Sequence, residues 1–363
     1  GTEALKSNTT ASYNTALGRH ALYQNTTGDG LTAVGHQALN SNTTGDDNIA
    51  MGGYGASSTV YAALYSNTTG KQNVALGVGA LTANTTADSN TAVGYLALTA
   101  NTTGGANVAV GTIALDANTT GFSQTGVGFG ALTANTTGYD NAAFGVNALG
   151  ANISGLSNTA VGNYSLDANT TASNNTAVGY ASLGANTTGT GNTAVGKLAG
   201  LSTTSGNFNT FLGLDAGEFA TTADGSVFVG WQAGQGITGT KLTGNNNTAV
   251  GKDAGLLLQG AAAQNVLIGT QAGDALTTGA ENILIGMRAG SHNISLQTGD
   301  NNILLGSYID VPAVDTDNAI GLGYDVSAAG GYTTLGSSGS DIRAAHGNIT
   351  WATVSDQRYK KDI

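Results

Sequence analysis

The 363 residues carry only 9% charged side chains and a formal net charge of −11, with 57 glycines, one proline and no cysteine. This balance excludes a basic surface for nucleic acid or anionic membrane, a disulfide framework and a cysteine metal site, and it leaves the redox compartment open. The apolar 40% is largely alanine, thin material for the core of an isolated chain, so association between chains is expected.

From the first residue onward a glycine recurs at 1, 18, 35, 52, 77, 94, 111, 128, 145, 162, 179, 196, 213, 230, 251, 269, 286 and 306, mostly at a spacing of 17. A short fixed period marks a stack of coils, because one unit of that size cannot bury its apolar face alone. The unit reads N-T-A-V-G-x-x-A-L-x-A-N-T-T-G-x-x, as in Asn90-Thr91-Ala92-Val93-Gly94 followed by Ala97-Leu98-Thr99-Ala100-Asn101-Thr102-Thr103-Gly104. Numbered from its first Asn, the unit has 17 positions. Thr, Val and Ile favour an extended strand, and Gly, Asn and Asp favour turns with positive φ. The predicted fold class is therefore all-β, a parallel β-solenoid or β-roll of 17-residue coils, each with two short strands and two turns. At about 4.8 Å per coil the stack would extend roughly 80–90 Å.

Period-2 alternation sends adjacent strand residues to opposite faces. The fourth position is apolar throughout (Leu17, Val34, Met51, Leu76, Val93 and onward) and is expected to be buried within the chain. The third position, Ala16, Ala33 and Ala50 early but Phe211, Phe228, Leu267, Leu284 and Leu304 later, is expected to face a second chain.

The chain divides into four parts. Residues 1–196 carry the A-L-x-A-N-T-T-G second half, and in 197–306 this becomes A-G, as in Leu198-Ala199-Gly200 and Ala216-Gly217. One column loses volume where another gains Phe or Leu, so packing is redistributed between columns. Insertions of eight residues between Gly53 and Ala62, four between Gly230 and Gly251 and three between Gly286 and Gly306 are expected to form surface loops that a partner could read. Residues 307–354 form a β-rich stem, and 355–363 close the sequence with Ser355-Asp356-Gln357-Arg358-Tyr359-Lys360-Lys361-Asp362-Ile363. The chain opens on a consensus glycine without its preceding strand, so an earlier, anchoring part is expected upstream. No signal peptide and no apolar run of membrane-spanning length is present, and no membrane insertion is expected.

Asn-Thr-Thr recurs at Asn8, Asn25, Asn42 and further positions, formally N-glycosylation acceptors, but turn chemistry and stacked amide ladders account for the column. A single outward threonine column is a poor match to the paired array of an ice-binding surface. His20, His36, His292 and His346 share no ligand spacing, the acidic residues are scattered, and neither a metal site nor a cofactor is expected. Trp231, Trp351 and the 13 tyrosines are candidates for stacking on sugars, though isolated aromatics on a coil more often pack.

Two resemblances give these patterns a context. The closing segment resembles the S-D-x-R-x-K-x-x-I opening of the intramolecular chaperone domain that ends many phage tail fibres and tailspikes, the self-cleaving module of endosialidase tailspikes, through Ser355, Asp356, Arg358, Lys360 and Ile363. The resemblance implies an autocleavage dyad in which Ser355 is the nucleophile and Lys360 its base, with Asp356 and Arg358 supporting. The family module continues for roughly a hundred residues, and this sequence holds only its start. The repeats resemble the head repeats of trimeric autotransporter adhesins, whose N-x-A-x-G units form a parallel β-roll in a three-chain bundle. Together the resemblances imply a homotrimeric fibre shaft of a phage tail fibre or tailspike, located on the virion and extracellular. Such a shaft would be joined to virion components through the upstream part and would present a host receptor-binding element to a cell-surface glycan or protein. The alternative is a bacterial surface adhesin or extracellular filament. Neither implies an enzyme, apart from the autocleavage.

Overall fold

A computed structural model describes residues 1–53, 61–338, 340–347 and 352–353. It divides into two compact units, Gly1–Ala181 and Ser182–Ile363. Both are all-β parallel solenoids with turns of about 17 residues and no helix among the described residues.

Unit 1 holds ten strands, from β1 (Thr15–Leu17), β2 (Thr32–Val34) and β3 (Ile49–Met51) to β9 (Thr159–Val161) and β10 (Thr176–Val178). Each pairs in parallel with the same positions of the next coil, for example Thr15↔Thr32, Ala16↔Ala33 and Leu17↔Val34. Unit 2 runs from β11 (Thr193–Val195), β12 (Thr210–Leu212) and β13 (Val227–Val229) to β17 (Ile303–Leu305) in the same register, for example Phe211↔Phe228. There the repeat gives way to longer strands. β18 (Ile320–Tyr324) pairs in parallel with β19 (Tyr332–Ser337), and β19 pairs antiparallel with β20 (Ile342–Ala345), which pairs antiparallel with Ala352–Thr353.

Each repeat coil contains one three-residue strand, not the two expected. The A-L-x-A-N-T-T half reads as a strand, yet its Leu takes a left-handed backbone, with φ of 52° at Leu98 and 53° at Leu115. The turns still hydrogen-bond from coil to coil. Leu98 N donates to Ala114 O, and Thr102 N and Thr103 N both donate to Thr119 O. Left-handed φ costs an L-residue roughly 1–2 kcal/mol, whereas full burial of a leucine side chain returns about 1.5–3 kcal/mol, so burial outweighs the strain. From Leu22 to Leu183 these leucines are fully buried, and only Leu5 of the first coil is half-buried. At the fifth position φ is near +139°, and a Cβ on Gly94 would overlap the Gly111 carbonyl, which is why glycine recurs there.

The assignment of faces is the reverse of the sequence expectation. Ala33, Ala50, Ala92 and Ala109, the third position, are fully buried inside the roll, while the fourth position points outward, with Leu17 64% and Met51 46% exposed. Alternation establishes only that the two positions face opposite ways. The interior is narrow and already holds the buried leucine of the opposite wall, so the small residue is the one that fits inside.

Two buried asparagine columns complete the interior. At position one, Asn90 N donates to Asn73 Oδ1 (3.0 Å) while Asn90 Nδ2 donates to Gly104 O (3.0 Å). At position twelve, Asn118 Nδ2 donates to Asn101 Oδ1 (2.9 Å) and to Gly121 O (2.9 Å). These are the expected amide ladders, and they place the Nδ2 atoms that glycosylation would need inside the folded coil. In unit 2 the first ladder persists, as in Asn209 N to Asn192 Oδ1 (2.9 Å), but the second is replaced by buried Ala220, Leu242, Leu258, Leu276 and Leu296. The leucine of the A-L pair becomes glycine at an unchanged left-handed φ (61° at Gly217), and buried Phe211 and Phe228 take up the volume.

Candidate functional site: the coil exterior

With the interior filled by alanine, leucine and paired amides, chemistry available to a partner lies in the outward columns. Ser355, Asp356, Arg358, Lys360 and Ile363 lie outside the described residues, as do Trp351 and most of the insertion after Gly53.

The strand face presents positions two and four. In unit 1 these are Thr, Val, Ile, Leu, Met, Phe and one Ala. In unit 2, from β11 to β17, they are Thr, Val, Leu and Ile. No charged side chain interrupts either face among these strands. Threonine at position thirteen has its hydroxyl engaged, for example Thr26 Oγ1 donating to Thr43 O (2.9 Å).

A second feature forms at the corner after the repeat glycine. In unit 1, Arg19, His20, His36, Gln37, Tyr61 and Tyr65 line a groove of about 290 Å³. The stacking that builds it is visible in the backbone, where Gln37 N donates to Arg19 O (2.9 Å) and Gly79 N donates to Tyr61 O (3.1 Å). The Tyr61 and Tyr65 rings stack at 4.8 Å, and the His20 ring lies 5.1 Å from Tyr23 and 6.2 Å from His36. Glu3 lies beside His20, its carboxylate 2.8 Å from Lys6 Nζ and 2.9 Å from His20 Nε2. The Lys6 hydrogen bond holds the Glu3 carboxyl below the ordinary range, and Glu3 in turn raises the Lys6 amine.

Sequence reasoning treated the four histidines as unrelated. His20 and His36 are brought together because they occupy positions seven and six of consecutive coils. Tyr61 joins them because the insertion lies before it and returns it to position six. Alignment by coil position, rather than by linear spacing, is the signal that reveals this cluster. Among the described residues no group of three or more His, Asp or Glu is arranged to hold a metal ion, and no helix is long and apolar enough to cross a membrane.

These features define a β-solenoid repeat protein with an uncharged strand face and, in unit 1, a corner groove lined by Arg19, two histidines and two tyrosines. No protein-family model matches the chain, and neither a curated protein nor a solved structure does.

Proposed function

We propose that the chain is the structural and adhesive shaft of a homotrimeric extracellular fibre, of the phage tail-fibre or tailspike kind, whose C-terminal Ser355 and Lys360 begin a self-cleaving chaperone. The observation that carries this reading is the uncharged outward strand face, repeated coil after coil and ending in Leu212, Ile268 and Ile285, each more than a third exposed. An exposed apolar column at position four, bordered by uncharged side chains at position two, suits an association surface, and a second and third copy of the same repeat would cover it in register. The internal ladders support a structural role, since within each unit most coils are tied to their neighbours by side-chain amides as well as by backbone. The resemblance of the closing segment to the chaperone opening favours the viral form over a bacterial surface adhesin, the second reading.

The test is the solution mass of the product of the complete gene by light scattering, together with its denatured intact mass. Three chains per particle, each ending near Ser355 in the parent but not in a Ser355→Ala variant, is the expected result. A Val93→Lys/Val127→Lys variant, charged on the outward face, should dissociate. A monomeric parent would overturn the trimer, and an uncut trimeric parent would transfer the reading to the bacterial adhesin.

A further inference from the structure

The corner columns of unit 1 concentrate exposed aromatic side chains. Of the eight exposed aromatic residues among the described part of unit 1, five lie at positions six and seven: Tyr61, Tyr95, Phe129, Tyr164 and Tyr180. The first four fall on every second coil. Position six is one physical line, because its carbonyls accept from position seven of the following coil, as in Ile113 N to Tyr95 O (2.9 Å) and Asn147 N to Phe129 O (2.9 Å). Two coils span about 9.6 Å, a step comparable with two sugar rings of an extended chain. Phe129 is 53% exposed and Tyr95 48%, so their faces are available for stacking.

The groove itself is lined by no carboxylate. Glu3, beside His20, is engaged by Lys6 and His20. Arg19, His20 and His36 stand at the groove, and no salt bridge to Arg19 is found among the described residues. A guanidinium set beside two stacked tyrosines matches a sugar carboxylate, by bidentate hydrogen bonding next to an apolar ring face.

We propose that unit 1 binds an acidic cell-surface polysaccharide laid along the coil-stacking direction, a uronate carboxylate at Arg19 and the histidines and successive sugar faces on Tyr61, Tyr95 and Phe129. This deepens the adhesive part of the shaft reading and rests on it only in requiring that these columns face outward from the assembled fibre.

The experiment is calorimetric titration of the full chain with β-1,4-linked oligomannuronates of two to eight sugars and with neutral cellohexaose, with light scattering on the same samples. The octamer should bind more tightly than the dimer, and cellohexaose more weakly than the acidic hexamer. Arg19→Ala should weaken every acidic oligomer about tenfold or more, the scale of a lost charged hydrogen bond. Phe129→Ala should weaken the octamer about three- to tenfold and leave the dimer unchanged. Absence of binding to any oligomannuronate, or an octamer no tighter than the dimer, would overturn the proposal. Dissociation of the assembly by Tyr95→Ser/Phe129→Ser would overturn it too, by placing the aromatics between chains. A trimer that ignores the sugars leaves the shaft standing without this site, and a monomer that binds them does the reverse.

Discussion

The exchange of leucine for glycine between the two coil types makes a quantitative claim about Gly234 and Phe228. Gly234 has φ of 56°, and a Cβ built there would lie 2.6 Å from three atoms of the fully buried Phe228 ring. Gly234→Ala therefore adds left-handed strain of about 1–2 kcal/mol and overpacking of about 1–3 kcal/mol. Phe228→Ala alone removes a ring that packs 5.7 Å from Phe211 and should cost about 3–5 kcal/mol. In the double variant the new methyl occupies space the ring has left, so only the backbone strain persists, and the pair should fall short of additivity by about 1–3 kcal/mol. Solenoids open in sections, so the assay is amide hydrogen exchange at Val227–Val229, which reads the opening free energy of that coil. Additivity within about 0.5 kcal/mol would refute the idea that aromatic and glycine columns share one volume.

Three further outcomes follow from the same interior. Leu115→Ala should destabilise its coil by about 2–5 kcal/mol, and Leu115→Gly should be the milder of the two by about 1 kcal/mol, inverting the usual order because φ at this site is 53°; hydrogen exchange at neighbouring amides checks the order. Gln124 stands in the first asparagine column, and its Nε2 reaches Gly138 O while its Oε1 has no partner among the described residues. Gln124→Asn should therefore restore the ladder and raise stability by about 1 kcal/mol, read by denaturant unfolding. Burial raises the carboxyl of Asp167. A raised folded value means that stability is lost as pH climbs from the ordinary aspartate range, about 3.9, through the folded value. Asp167→Asn should accordingly match the parent near pH 3 and exceed it at pH 7, as followed by melting temperature across that interval.

The repeat period, the strand column and the asparagine ladders were legible because each depends on one residue type recurring at one position. The orientation of the strand was not. Val93 and Ala92 alternate whichever way the strand faces, and deciding between them requires knowing that Leu98 already fills the opposite wall. The second expected strand failed for a related reason, since Leu98 and Ala100 look extended until the left-handed φ at Leu98 turns the backbone, and propensity carries no sign of a strain that burial offsets. The groove was hidden by distance along the chain. His20, His36 and Tyr61 share neither a motif nor a spacing, and they meet only after the coils are stacked with the insertion removed. The Ser355 and Lys360 pair remains a reading from resemblance, because those residues lie outside the described part.

The division between interior and exterior also explains how one coil can host different tasks. Backbone groups, asparagine amides and leucine or phenylalanine volume are matched from coil to coil within each unit, so positions one, three, nine and twelve are closely constrained. Positions two, four, six and seven touch mainly their counterparts in adjacent coils and tolerate any side chain compatible with stacking. Uniform side chains in such columns then carry information. An unbroken apolar column at position four beside uncharged side chains at position two suits an association surface. At position six of unit 1 the recurring feature is aromatic, with exposed Tyr61, Tyr95 and Phe129 on alternate coils. The backbone imposes no aromatic there, since Thr112 and Val146 fill the same position in the coils between, and flat rings exposed at a regular step of two coils are what stacking along an extended sugar chain requires.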